Sequence, residues 1–439
     1  MLAVLNIKLP QPGKLAVQYI NIFPLDFTYM KSINEKKSNH NFKAFLWHAF
    51  FLALTTSFMD VDTIIPSILI NAGGGSFSLG LLTAIMLGGS SLMQLVFAGF
   101  LSGKDYKKKY LLTGIYLRTF ALASLAVLFF LSDKIQPYAV IILIFVFISM
   151  FSFSGAFANV SYVDILGKSI LSHKRKKFFT MQQTFNSVGL LISALVVREL
   201  LRLFAYPANY TILFVMAALL LSIASGGFWM IREVPSTKKP GKKLAEFFRM
   251  IPGEVRNNSN LKYYLILINI LGLGMSILPF FMLLAKEKFG LSDASVGNYL
   301  VFRISGMLII SLLIFRFSSK RGYKSILTAG LILGIILPPL AIFLSDYQFV
   351  YQFVFILSGA YFSIYKISVS GILVEISNDD NRAVYAGIAG AGNILPAIFP
   401  LIAGTLIAGF GYWSVFLFVS LVLITAIPFV KKLNCKYGE

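Results

Sequence analysis

Residues 140–151 read Val-Ile-Ile-Leu-Ile-Phe-Val-Phe-Ile-Ser-Met-Phe, and the one polar side chain in that stretch is Ser149. Phe, Ile and Val would give it strand propensity in water, yet a transmembrane barrel is made of strands about ten residues long that alternate apolar and polar side chains. No two-residue period is present here. Followed in both directions, the apolar run covers 137–163, enough at about 1.5 Å per residue to cross about 30 Å of hydrocarbon as a helix. In hydrocarbon every backbone N–H and C=O must be bonded internally, and a helix does this alone.

Similar runs lie at about 44–70, 78–102, 110–132, 178–204, 209–231, 263–285, 295–317, 325–345, 348–374, 383–408 and 412–430. With 137–163 as the fourth, they are runs 1 to 12 in chain order. The chain has 439 residues, 57% of them hydrophobic and only 13% charged, with a mean hydropathy of +0.78. A water-soluble domain could not cover that much apolar surface with so few charges. The expectation is an all-α polytopic membrane protein with twelve transmembrane helices. It divides into a polar tail over 1–42, six helices over 43–231, a linker over 232–262, six helices over 263–432, and a short tail over 433–439. Residues 1–29 read either as part of that tail or as an extension upstream of a chain starting at Met30. In the linker, Leu244, Phe247, Phe248 and Ile251 recur at helical spacing beside Lys242, Lys243 and Arg249, which predicts a short amphipathic helix on the membrane face.

The net charge of +21 is a topology signal. Thirty-one Lys and Arg fall in the gaps on the face that holds the termini, five on the opposite face, and three inside runs. That asymmetry puts both termini in the cytoplasm of a multi-pass protein of the cell (inner or plasma) membrane. It favours contact with the lipid bilayer and gives no reason to expect nucleic acid. Cys435 is the single cysteine, which excludes a disulfide scaffold and thiolate metal sites. His40, His48 and His173 read as lying at or beyond helix ends, so no imidazole metal site is expected. There is no Walker motif, nucleophile elbow or paired catalytic set, and neither a cofactor nor an enzymatic activity is expected.

The two halves echo each other. Ser154-Gly155-Ala156-Phe157 in run 4 matches Ser358-Gly359-Ala360-Tyr361 in run 10. After runs 2 and 8, Gly99-Phe100-Leu101-Ser102-Gly103-Lys104-Asp105-Tyr106-Lys107-Lys108 aligns with Phe315-Arg316-Phe317-Ser318-Ser319-Lys320-Arg321-Gly322-Tyr323-Lys324. This resembles the Gly-x-Leu-Ala-Asp-Arg-x-Gly-Arg-Lys signature of the major facilitator superfamily. The resemblance covers residues 43 to 432 and implies two pseudo-symmetric six-helix bundles that alternate access to a central site. The signature's acidic position is Gly103 in one copy and Ser319 in the other, so its role as a cytoplasmic lock is weakened here or taken over by Asp105. The resemblance implies a cytoplasmic gate of Gly99, Lys104, Asp105, Lys108, Lys320, Gly322 and Lys324, with Asp164 pairing Arg175 after run 4 and Glu375 and Arg382 as the counterparts after run 10. The glycine–proline pattern of drug/proton exchangers is absent from run 5, where Gly189 is followed by Leu190-Leu191-Ile192.

A charge at bilayer depth faces a protein interior or a wet path. Asp60 and Asp62 lie in run 1, Arg118 in run 3, Arg303 in run 8 and Lys366 in run 10. Two residues apart is about 200° around a helix, so the two carboxylates are expected to face apart. Asp62, ahead of Thr63-Ile64-Ile65-Pro66, resembles the proton-carrying Asp-x-x-x-Pro of some proton-coupled sugar facilitators. Arg118 is a candidate contact for an anionic solute, with pairing to a run 1 carboxylate or to Asp164 as the structural alternative, and Arg303 is expected to snorkel. Lys366, beside Tyr361 and Tyr365 with no carboxylate in runs 11 or 12, reads as a solute contact. Asn159, Gln182, Asn186, Asn269 and Asn393 are candidates for a polar lining or for inter-helix hydrogen bonds. The expected function is secondary transport of a small polar or anionic solute, with protons entering through Asp60 or Asp62, by a protein acting as a monomer. Export of amphipathic compounds, or a receptor or lipid-handling role on the same scaffold, is the alternative.

The topology has a native reporter. A membrane-impermeant maleimide should leave Cys435 unmodified in intact cells and label it once the membrane is opened; labelling of intact cells would reverse the assignment.

Overall fold

The computed structural model describes residues 34–102, 104–235, 244–317, 322–377 and 382–434, and every regular element among them is a helix. Span 1 is Glu35–Thr56 and Ile64–Asn71, and span 2 is Ser76–Ala84 and Ser90–Ser102 around a wide turn at Ile85–Gly89. Spans 3 to 6 are Lys108–Phe130, Pro137–Ser169, Ser172–Leu203 and Ala208–Met230. A surface helix, Leu244–Asn257, precedes span 7, which is Ser259–Ser276 and Leu278–Phe289. Spans 8 to 10 are Asp293–Phe317, Tyr323–Phe343 and Gln348–Ile376.

The last apolar stretch, Gly387–Lys432, has 46 residues, roughly twice what one crossing needs. It breaks at Gly411, whose φ of 75° lies in the left-handed region that L side chains avoid. Spans 11 and 12 lie either side of that turn, which completes twelve.

The halves repeat one packing plan. In the first, span 3 packs on spans 4 and 6, and span 1 on spans 5 and 6; in the second, span 9 packs on spans 10 and 12, and span 7 on spans 11 and 12. The caps repeat as well. Lys108, at the start of span 3, donates to the carbonyls of Trp229 (2.6 Å) and Ile231 (2.9 Å) at the end of span 6. Lys324, at the start of span 9, donates to Lys431 (3.1 Å) at the end of span 12. Each places an ammonium on helix carbonyls left without an intrahelical partner. The first and last described residues lie on this terminal face, where His40 bonds the Met230 carbonyl at 2.8 Å and Asn434 N–H donates to Asn260 at 3.1 Å.

The halves meet through spans 2 and 11, spans 5 and 8, and the far ends of spans 1 and 7. Backbones approach closely there. A Cβ on Gly404 would lie 2.3 Å from the Ser76 carbonyl oxygen, and one on Gly80 would lie 2.2 Å from that of Pro400. Without an aqueous hydrophobic drive between helices, such small-residue contacts supply much of the association.

One expectation needs amendment. His48 is not at a helix end: it is buried within span 1, stacked on Phe228 at 3.7 Å and bonded to the Ala224 carbonyl at 3.2 Å. The linker helix is present over Leu244–Asn257, with Ile251 half-buried and Arg249 exposed; Leu244, Phe247 and Phe248 have side chains outside the described residues.

Overpacking this contact should be costly. Gly404→Val is expected to destabilise by about 1–3 kcal/mol, read as earlier thermal unfolding in detergent. Gly409→Ala, whose Cβ meets nothing within 4 Å, should leave the transition in place.

Candidate functional site

Span 1 is not continuous. After Glu35–Thr56 the chain makes a tight turn at Ser57–Met59, becomes extended at Asp60 (φ −63°, ψ 121°), and restarts as a helix at Ile64. Pro66 sits in the first turn of the new helix, where a missing N–H costs nothing. Asp60 organises the break. Its Oδ1 accepts the Asp62 N–H at 3.1 Å and the Thr63 hydroxyl at 2.8 Å, while its carbonyl accepts the Ile65 N–H at 3.0 Å.

This break overturns the expectation that the two carboxylates face apart. The 200° separation holds for a continuous helix; with the turn opened, both converge on one guanidinium from the other half. Arg303 Nη1 donates to Asp60 Oδ2 at 2.6 Å, and Nη2 donates to Asp62 Oδ2. Arg303 is 3% exposed and does not snorkel. It lies ten residues inside span 8 from Asp293, about 15 Å of helix, which is beyond the reach of its side chain to the far face. Phe362 of span 10 lies beside it, 5.1 Å from the Arg303 guanidinium and 4.6 Å from the Lys366 ammonium. Lys366 shares the Phe362 ring with Arg303 and its charge acts on Asp62, so it stands next to the paired charges.

Arg118 does not pair Asp164. It lies over the Phe151 ring at 4.2 Å, and its buried Nε has no hydrogen-bond partner. A cavity of ≈ 150 Å³ opens beside it, with Leu52, Met59 and Val61 from span 1 and Met86 from span 2 among its walls. Asp164 is instead bonded to Lys107 at 2.9 Å and Lys168 at 3.1 Å, and Lys168 reaches Glu233 at 3.0 Å. Glu233 in turn accepts the N–H groups of Lys107 (2.6 Å) and Lys108 (2.9 Å). Nor does Arg175 pair Asp164: it donates to the carbonyls of Ile170 (3.1 Å) and Gly167, closing the end of span 4. Asp105 takes Lys168 through its carbonyl, at 3.2 Å. Lys104 lies over Phe100 at 5.5 Å, Gly99 is exposed, Gly322 precedes span 9, and Glu375 is buried at the terminal end of span 10. Lys320 and the Arg382 side chain lie outside the described residues.

Several candidate polar residues are engaged between helices. The Tyr361 hydroxyl, fully buried, donates to Leu271 at 2.7 Å, and that of Tyr365 to Ile268 at 3.3 Å. Asn269 donates to the Leu265 (2.8 Å) and Gly392 (2.6 Å) carbonyls and accepts the Leu395 N–H at 3.0 Å, holding the break in span 11. Gln182 donates to the Tyr162 hydroxyl at 3.1 Å. Asn159 is exposed, Asn186 is half-buried, and Asn393 has a buried Oδ1 with no partner.

The far face holds a second cross-half cluster that the sequence reading missed. Asp293, at the start of span 8, accepts from Asn71 (2.9 Å) and Ser67 (3.5 Å) of span 1, from Asn209 (2.9 Å) and Tyr210 (3.0 Å) of span 6, and from Lys286 of span 7 (3.4 Å). Lys286, counted there only as a far-face charge, also donates to Ser67 at 2.8 Å and to Asn71. The seven-residue separation of Lys286 and Asp293 across a short turn was the available signal.

Residues 46–315 and 264–433 each match the family model of the Major Facilitator Superfamily. An uncharacterized MFS-type transporter of Methanocaldococcus jannaschii is 24% identical over 368 residues, 81% of this chain and 87% of that protein. Among solved structures, a mutant of the nucleoside transporter NupG superposes with a TM-score of 0.64 at 14% identity, covering 90% of this chain and all of that one. A POT family transporter crystallised with a thioalcohol-conjugated peptide gives 0.63 at 13% identity, over 90% of this chain and 96% of that one. A bacterial homolog of the human lysosomal transporter Spinster, inward-facing and unoccupied, gives 0.59 at 11% identity, over 91% and 96%.

The charge cluster makes a strong demand on Arg303. Arg303→Gln leaves two carboxylates buried together, and a loss of about 3–5 kcal/mol is expected, seen as a lower thermal transition. Adding Asp60→Asn and Asp62→Asn should recover most of it; no recovery would mean that Arg303 stabilises by packing alone.

Proposed function

The chain belongs to the Major Facilitator Superfamily and is a multi-pass membrane transporter, and from that premise we propose that it takes up a small polar or anionic solute by alternating access, driven by protons that bind at Asp62. The observation that carries this reading is the pairing of two carboxylates at a chain break in one half with a guanidinium of the other half. Asp62 and Arg303 are both buried, so neutralising Asp62 by a proton removes attraction where solvent does not replace it. The halves then part on the far face. That face is taken as outside, because the Lys and Arg excess marks the terminal face as cytoplasmic.

The two carboxylates have different work. Asp60 holds the broken backbone through Oδ1 and is the positioning residue. Asp62 is held by the Arg303 guanidinium, and a proton there leaves the break intact. On release inside, the pair re-forms and the far face closes, with the Asp293 cluster completing the seal. The Asp164, Lys107, Lys168 and Glu233 set, with Lys104, Asp105, Lys108 and Arg175 around it, stiffens the cytoplasmic end of the first half, against which the second half moves. Arg118 with the pocket beside it is the solute contact of the first half, Lys366, which borders the paired charges, is that of the second, and Asn159 and Asn186 complete the lining. The protein works as a monomer in the plasma or inner membrane.

Proteoliposomes loaded with a pH dye and given pools of sugars, carboxylates or amino acids test this. One pool should acidify the lumen. Asp62→Asn should abolish proton movement while labelled solute still exchanges down its gradient. Proton-driven accumulation that survives Asp62→Asn would remove Asp62 from the coupling role.

A further inference from the structure

Five Asp, Arg and Lys side chains lie deep in the spans at the centre of the described residues: Asp60, Asp62, Arg118, Arg303 and Lys366. Contacts sort them into two groups. Arg303 holds both carboxylates, and Lys366 shares the Phe362 ring with Arg303 and acts on Asp62, so these four form one set with two charges of each sign. Arg118 is left over. It lies in the other half, over Phe151, and no carboxylate or carbonyl among the described residues bonds its guanidinium. The titratable neighbour it affects, His48, is bonded to the Ala224 carbonyl and supplies no negative charge. A cation at this depth without a counter-ion is expensive, by several kcal/mol on insertion scales.

The space beside Arg118 matches what is missing. Its volume is ≈ 150 Å³, room for several water-sized groups. Its walls are apolar, from Leu52, Met59, Val61, Met86 and Leu221. The two hydroxyls present, Thr55 and Thr56, donate to the carbonyls of Phe51 (2.9 Å) and Leu52 (3.0 Å) in their own helix, so Arg118 holds the pocket's available N–H donors. One fork-shaped donor set at the end of an apolar pocket of this size suits one carboxylate carrying a short hydrocarbon. A dianion would bring a second charge that meets no second cation in the pocket wall.

We propose that the pocket beside Arg118 binds a short-chain organic monoanion, its carboxylate forked by the Arg118 guanidinium and its hydrocarbon against the apolar wall of span 1. The solute is thus a monocarboxylate. This rests on the transport reading only in taking the pocket as the solute's site; binding needs neither a gradient nor the Asp62 proton.

Calorimetric titration of the purified protein in detergent tests this, with sodium butyrate, butyramide and sodium chloride at matched ionic strength. Butyrate should bind saturably, with butyramide and chloride at least about tenfold weaker, the loss expected when a charge-assisted bond is replaced by a neutral one or the apolar body is removed. Arg118→Gln should weaken butyrate by at least about tenfold, and Arg118→Lys, which keeps the charge and loses the fork, by less. Arg202→Gln, which removes a surface cation paired with Glu199, should bind as the native protein does. Butyramide equal to butyrate, no saturable butyrate binding, or an unchanged Arg118→Gln would each overturn the proposal. If Arg118→Gln does not fold, the butyrate and butyramide comparison on the native protein decides. Because no gradient is present, the fate of Asp62→Asn in liposomes bears on the coupling reading and not on this one.

Discussion

The guanidinium of Arg303 and the two carboxylates it bonds constrain the rest of the molecule. A guanidinium with each arm on a different carboxylate requires Asp60 and Asp62 to point the same way, and an unbroken helix cannot do that. So span 1 must unwind. The unwound backbone needs acceptors, and Asp60 supplies them from its own side chain. The pair must also be screened from lipid and water, and the close approach of spans 2 and 11 at Gly80 and Gly404 brings the two halves together beyond it. Breaking a buried pair by removing one partner costs more than the pair contributes intact. The proposed coupling loosens it more gently, by changing its protonation.

Much of the fold was legible because it depends on one-dimensional properties. Runs long enough to span, a basic gap in the middle and a Lys and Arg excess on one side fix the count, the halves and the family resemblance. The site was legible only in part. Asp60 and Asp62 were visible as charges in an apolar run, but their common direction depends on a local break that Pro66 permits and does not dictate. Arg303 was misread as snorkelling, although its depth of ten residues argued against it. The pairing of Asp164 with Arg175 followed sequence proximity; the structure prefers Lys107 and Lys168 because the chain brings the turn after span 2 beneath span 4. Asn71, Asn209 and Asp293 come from three spans, and no periodicity brings such residues together on paper.

The two halves agree more in backbone than in chemistry. Lys108 and Lys324 do the same capping work at equivalent corners. The deep charges do not repeat: a carboxylate pair and a lone guanidinium in the first half face a guanidinium and an ammonium in the second. Duplicated scaffolding with unlike contents lets one framework open symmetrically while its centre distinguishes the two directions.

The cluster on Asp293 has a thermal consequence. Its carboxylate is held by donors from spans 1, 6 and 7 at once, so none of them can leave gradually without stranding another in a dry place. Their loss is therefore concentrated in one event with a large enthalpy. Under the proposed alternating access, opening of that face would be a discrete, strongly temperature-dependent step, and turnover limited by it would slow on cooling far more than diffusion of a solute through a standing pore.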